Sequence, residues 1–245
     1  MPDFASPAHL PNLRPGRRPL DKRWLPRQRR GITPQMVGRY PDYDVLEQID
    51  AWDPATRRVV EERMRVGGRR LTFFSAAEEP TLRAFCDVAV AQDEEPRVPV
   101  AELIDEKLAA GRLDGYQYAG MPDDRDTWHL VLRGLDETAR ERFDVASFAD
   151  LGLPEQEAIV ADLSRGKLAG GAWKALDVGR AWSVCMRMIL SAFYSHPWAW
   201  NEIGFGGPAY PRGFMRMGPV GTLEPYERPG ATHEDPVRMA PRLEP

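Results

Sequence analysis

The sequence predicts an all-α fold: a single irregular domain of about six or seven helices with extended arms at both ends. Three observations lead there. Apolar residues recur at helical spacing in one segment after another, no stretch shows the two-residue alternation of a half-buried strand, and both ends mix proline, glycine and charge without a period. With 245 residues, 42% hydrophobic and 29% charged, the chain is long enough to close one sizeable core. We divide it into an extended basic arm over 1–40, a helical domain over 41–216 ending in an aromatic, glycine- and proline-rich segment, and an extended tail over 217–245.

A short helix near Val45–Ile49 opens the domain. The next starts at Pro54 with Asp53 as N-cap and runs to Gly67–Gly68, because proline's fixed φ suits the first helical position. Ser75 and Glu78 have capping-box spacing ahead of Leu82, Phe85, Cys86 and Ala89, while Pro80 marks a competing first turn. Val100, Leu103, Ile104 and Leu108 give a further helix stopped by Gly111. Trp128, Val131, Leu132, Leu135, Ala139 and Phe143 form the clearest stripe, on a helix from Asp124 to Phe143 that leaves Arg133, Glu137, Arg140 and Glu141 in water. Pro154 opens a helix through Ile159, Val160 and Leu163 that ends near Gly166. From Ala175 to Tyr194 the apolar residues cover most of the circumference, which marks a central helix.

The formal net charge of −4 hides an asymmetry. Residues 1–30 carry eight basic side chains against Asp3 and Asp21, a net +6, so the remainder carries −10. Such an arm is a solvated tail, or it binds a protein surface or, through phosphates, a nucleic acid; the acidic body and Trp24 among prolines favour the protein and disfavour nucleic acid. Cys86 and Cys185 are far apart and each lies on the apolar side of a helix, which argues against a disulfide framework. No segment has the roughly 18 uninterrupted apolar residues of a membrane span. Neither Arg17–Arg18 nor Arg29–Arg30 is followed by an apolar h-region, so a cytoplasmic location is expected, with export alongside a signal-bearing partner as the alternative.

No catalytic or metal-binding constellation emerges. The four histidines are scattered, and no His, Cys or Glu spacing matches a metal site. Ser195 beside His196 is the one local nucleophile–base pair, yet adjacent residues seldom aim at one point; the simpler reading has Ser195 capping a helix end and His196 packed. Gly204–Phe205–Gly206–Gly207 lacks the strand before and the helix after that a phosphate loop requires.

What remains conspicuous is Ser195–Gly213, dense in both aromatics and helix breakers. Two readings stand: an internal clasp folded over the helices, or an interface core. The interface candidates are His196, Pro197, Trp198, Trp200, Asn201, Glu202, Phe205, Gly206, Gly207, Tyr210 and Arg212, with Trp24 in the arm.

Four stretches carry a likeness to a known family: Phe73–Glu78 with Thr81–Leu82 and Cys86–Asp87; Pro99–Val100 with Leu103–Leu108; Asp114–Gly115–Tyr116; and Tyr194–Pro197 running through Trp200–Gly213. In these the chain resembles the gluconate 2-dehydrogenase subunit 3 family, small subunits of flavin-dependent sugar and polyol dehydrogenases. The resemblance implies a non-catalytic accessory subunit that binds no cofactor itself and supports a large flavoprotein of the glucose-methanol-choline (GMC) type. That partner holds the FAD, and a cytochrome or other electron acceptor joins some complexes. An alternative is that His196, Asn201 or Glu202 completes the partner's active site.

Overall fold

Proline and carboxylate residues decide where the helices begin. Asp53 accepts the Thr56 and Ala55 N–H groups at 3.1 and 3.3 Å, and with Pro54 in the first turn it starts α1, Pro54–Met64. The helix stops a turn short of Gly67 because the Arg65 N–H closes on the Glu62 carbonyl. The expected box forms, Ser75 and Glu78 bonding each other's main chain, but it shapes a turn: α2, Glu79–Val90, begins after it with Pro80 in its first turn. α3 is Val100–Ala109, α4 Asp124–Phe143, α5 Leu153–Ser164, α6 Val178–Phe193 and α7 Pro197–Ile203.

The computed structural model describes residues 45–92, 97–203 and 205–208. The expected arm 1–40 and tail 217–245 lie outside the described residues. Among those described there are seven α-helices, three 3-10 helices (Val45–Ala51, Phe148–Asp150 and Gly171–Ala175) and no strand. The fold is all-α. The described residues fall into two compact units, one containing Val66–Ala91 and Pro99–Phe193, the other 45–65, Gln92, 97–98 and 194–208 without Gly204.

In the unit of α2–α6 the core is built on α4, whose Trp128, Val131, Leu132 and Leu135 are wholly buried. Each such side chain contributes about 1.5–3 kcal/mol of transfer free energy. Trp128 meets Phe74 edge-on at 6.0 Å and Phe85 at 6.1 Å. Two positions of this helix differ from expectation. Glu137 accepts the Ala172 N–H at 2.7 Å instead of facing water, and Phe143, in the last turn, is 40% exposed. The Trp173 ring lies flat on bare backbone at Gly134, where a Cβ would come 2.5 Å from its Cε2. Its Nε1 donates to Thr138 Oγ1, which in turn donates to the Gly134 carbonyl.

α6 contacts α2, α3, α4 and α5, so it is central as expected, yet it is not apolar all round. Ala181, Val184, Cys185, Met188, Ile189, Ala192 and Phe193 are buried; Ser183, Leu190 and Ser191 are exposed, and Trp182 and Met186 half-buried. Its first turn starts at Val178 because residues before it form the 3-10 turn Gly171–Ala175. Cys86 and Cys185 are free and buried, and burial pushes both thiols up, which leaves them inert.

Segment 71–74 has no regular structure, so its N–H groups need acceptors from elsewhere. Asp105 of α3 supplies them: its carboxylate accepts from Thr72 N (2.8 Å), Phe73 N (2.9 Å), Phe74 N (3.0 Å) and Thr72 Oγ1 (3.1 Å). Asp105→Ala leaves these donors unpaired, and urea unfolding followed by tryptophan fluorescence should show a loss on the order of 3 kcal/mol. A loss below about 1 kcal/mol would mean that water replaces the carboxylate.

Candidate functional site

The Ser195–Gly213 segment is described as far as Pro208, apart from Gly204. It is not an irregular loop throughout. Pro197 opens the two-turn helix α7, so His196 stands immediately before its first residue. His196 Nδ1 accepts the Trp198 N–H at 3.3 Å and its carbonyl accepts the Trp200 N–H at 3.3 Å. Because Nδ1 accepts, the neutral ring carries its proton on Nε2. His196 is 1% exposed, and burial, reinforced by the charge of Arg63, pushes its pKa down to about 4. At neutral pH the ring is uncharged and its free lone pair is engaged by the backbone.

The rest of α7 turns inward within the same unit. Trp200 packs with Val45, Trp52 and Val60, with Phe205 edge-on to it at 5.7 Å and the Arg63 guanidinium 6.0 Å from its ring centre. Its Nε1 donates to the Tyr194 carbonyl at 2.6 Å, while Arg63 Nη1 donates to the Ser195 carbonyl at 3.0 Å. Asn201 Oδ1 accepts the Val45 N–H at 2.8 Å in a buried position. Gly207 has φ +76°, and a Cβ there would lie 2.8 Å from Val45 Cγ2 and 2.9 Å from Trp52 Cζ2. Close packing therefore requires the glycine, and side chains fill the space that a phosphate would need.

Of the candidate interface residues, the structure brings His196, Pro197, Trp200, Asn201, Gly206 and Gly207 into buried positions and leaves Trp198 and Phe205 half-buried. Glu202 lies on α7. Trp24, Tyr210 and Arg212 are outside the described residues. The described part is an internal clasp within its unit.

One polar cluster escaped the sequence analysis. In the α2–α6 unit, Glu78 Oε1 lies 2.6 Å from His129 Nδ1, and Glu78 Oε2 accepts the Ser75 hydroxyl at 2.7 Å. The His129 ring stacks 4.7 Å from Phe73, which carries Arg125 at 5.0 Å. Burial raises the Glu78 carboxyl, but bonds from Ser75 and His129 outweigh it and hold it below its ordinary value. The carboxylate sits between serine and histidine, so the imidazole is not placed to take the serine proton. The 51-residue separation of Glu78 and His129 leaves no local sequence signal.

A family model described as gluconate 2-dehydrogenase subunit 3 matches residues 76–207, more than half of the chain. The chain belongs to this family. Its match takes in α2 to α7, hence the Glu78–His129 cluster and the clasp up to Gly207. Comparison with curated proteins and with solved structures gave no match. In this gluconate 2-dehydrogenase subunit 3 member, no described helix is long and apolar enough to cross a membrane. No group of three or more His, Cys, Asp or Glu among the described residues is arranged to hold a metal ion.

Two outcomes test the clasp. Gly207→Ala adds a clash to a left-handed backbone and should destabilise the unit by about 2 kcal/mol or more, read as faster amide exchange in α1 and α7. For His196 the folded pKa lies below the unfolded value near 6.5, so the unfolded chain binds the extra proton. Stability is then complete above about pH 6.5 and falls by about 3 kcal/mol as pH drops to about 4. Denaturation across that range should show the loss, and His196→Gln should flatten it.

Proposed function

We propose that this chain is a non-catalytic accessory subunit that binds and stabilises a large FAD-dependent GMC-type dehydrogenase acting on sugars or related alcohols. The family match over residues 76–207 carries the reading, since that family is named as a dehydrogenase subunit. The state of the polar groups supports it. A general base needs a lone pair within reach of substrate. His196 Nδ1 and Asn201 Oδ1 both accept main-chain N–H groups inside the clasp, and Glu78 bridges Ser75 and His129.

FAD is assigned to the partner. The tight packing at Gly207 leaves no room for a pyrophosphate at that glycine. A cytochrome or another electron acceptor would complete the assembly. The reading in which His196, Asn201 or Glu202 enters the partner's substrate pocket gains less support for the first two, because His196 and Asn201 are sealed from solvent at 1% and 4% exposure.

Affinity purification of the tagged full chain from its native cell should bring down a larger protein in fixed ratio, with the visible absorbance of oxidised flavin. A colourless, monodisperse monomer would overturn the proposal.

A further inference from the structure

The strongest remaining feature lies between α3 and α4 in the α2–α6 unit. Residues 110–122 have no long regular element and contain three left-handed glycines, Gly111, Gly115 and Gly120. Such a loop is ordinarily free to move, but two arginines of α6 pin it. Arg187 donates from Nε to Asp114 Oδ2 at 2.7 Å, lies 4.7 Å over the Tyr116 ring and bonds the Tyr116 hydroxyl. Arg180 donates to the Ala119 carbonyl at 2.7 Å and lies 5.6 Å over Tyr118, whose ring meets Tyr116 edge-on.

The pinned loop holds its most apolar residues outward. Tyr116 is 56% exposed, more than any other exposed large hydrophobic residue described. Leu113 on the same loop is 41% exposed, and Leu190, one turn beyond Arg187 on α6, is 40% exposed. Half of the exposed large hydrophobics described thus lie on this loop or on α6 one turn from the arginine that pins it. Holding an aromatic ring rigid in water brings the isolated chain little stability, whereas it removes the ordering cost when the ring is later buried by a partner.

The charges restrict what that partner presents. Lys107 pairs with Asp114, Arg187 with Asp114 and Asp124, Arg180 with Asp177, and Arg112 of the loop with Glu106, so four cations are matched by four carboxylates. A face without surplus charge is complementary to an uncharged apolar surface, not to nucleic acid or an acidic peptide. We infer that Tyr116, with Leu113 on the same loop and Leu190 one turn along α6 from Arg187, is an anchor that inserts into an uncharged apolar pocket on the large subunit of the dehydrogenase. The inference rests on the accessory-subunit reading above and assigns to it a contact surface apart from the Ser195–Gly213 segment. Arg187 and Arg180 act here as positioning residues.

The test is titration of the purified chain against the flavoprotein that co-purifies with it. Tyr116→Ala and Leu190→Asp should each weaken binding by roughly tenfold or more, with an unchanged melting temperature. Tyr116→Phe, which keeps the ring, should lose less. Val59→Asp, at a 46% exposed position of α1, should bind as wild type; equal weakening there would overturn the assignment. Wild-type affinity for both Tyr116→Ala and Leu190→Asp would overturn this surface while leaving the accessory-subunit reading intact. Absence of any complex with the wild-type chain would overturn both. A dimer of the isolated chain that Leu190→Asp converts to monomer would reassign the face to a second copy and overturn the inference.

Discussion

A buried backbone N–H that no helix can satisfy sets the terms for the clasp. The Val45 N–H opens a 3-10 turn and finds its acceptor in Asn201, 156 residues further along the chain. Left unpaired it would cost about 1–3 kcal/mol, so the turn and α7 are worth forming only together. The packing of Trp200 on Val45, Trp52 and Val60, and the Arg63 bond to the Ser195 carbonyl, all presuppose that closure. A contact of such separation carries a loop-closure cost that the packing around it must offset.

The α2–α6 unit solves the same problem with carboxylates. Asp105 takes the N–H groups of segment 72–74, Asp136 joins the Thr81 hydroxyl to the Phe148 N–H, and Glu137 takes the Ala172 N–H. In each case a helix lends a side chain to a stretch that lacks its own ladder of bonds. This is why an irregular helical fold with long connections holds together without a sheet. It also explains why acidic residues of α3 and α4 are not simply a solvated face.

Much of the local structure was legible in the sequence, and the reasons are specific. An unbroken stripe placed both ends of α4, Asp124 and Phe143, and Asp53–Pro54 placed the start of α1. α7 was hidden because seven residues are too few to display a period, and Pro197 reads as a breaker although it suits a first turn. The circumference of α6 misled because Trp182, Met186 and Leu190 are apolar by type, yet the first two are only half-buried and the third is exposed. The family match over residues 76–207 takes in Asp114–Tyr116 and the Tyr194–Gly213 stretch as far as Gly207, two of the stretches that carry the likeness. The roles inside those segments were beyond reach: nothing near Asn201 announces Val45, and nothing near Asp105 announces residues 72–74.

The bare backbone at Gly134 has a consequence for how this sequence can vary. A glycine in mid-helix sacrifices about 1 kcal/mol of propensity relative to alanine, which is recovered here because the Trp173 indole rests on the space that a methyl group would occupy. The two positions are therefore interlocked: a side chain at 134 is tolerable only after the ring at 173 has shrunk or moved away. Stepwise evolution must change 173 first and pass through a cavity-bearing intermediate. In this packing a side chain at 134 and the indole at 173 exclude each other, so the pairing is a mark of the arrangement itself.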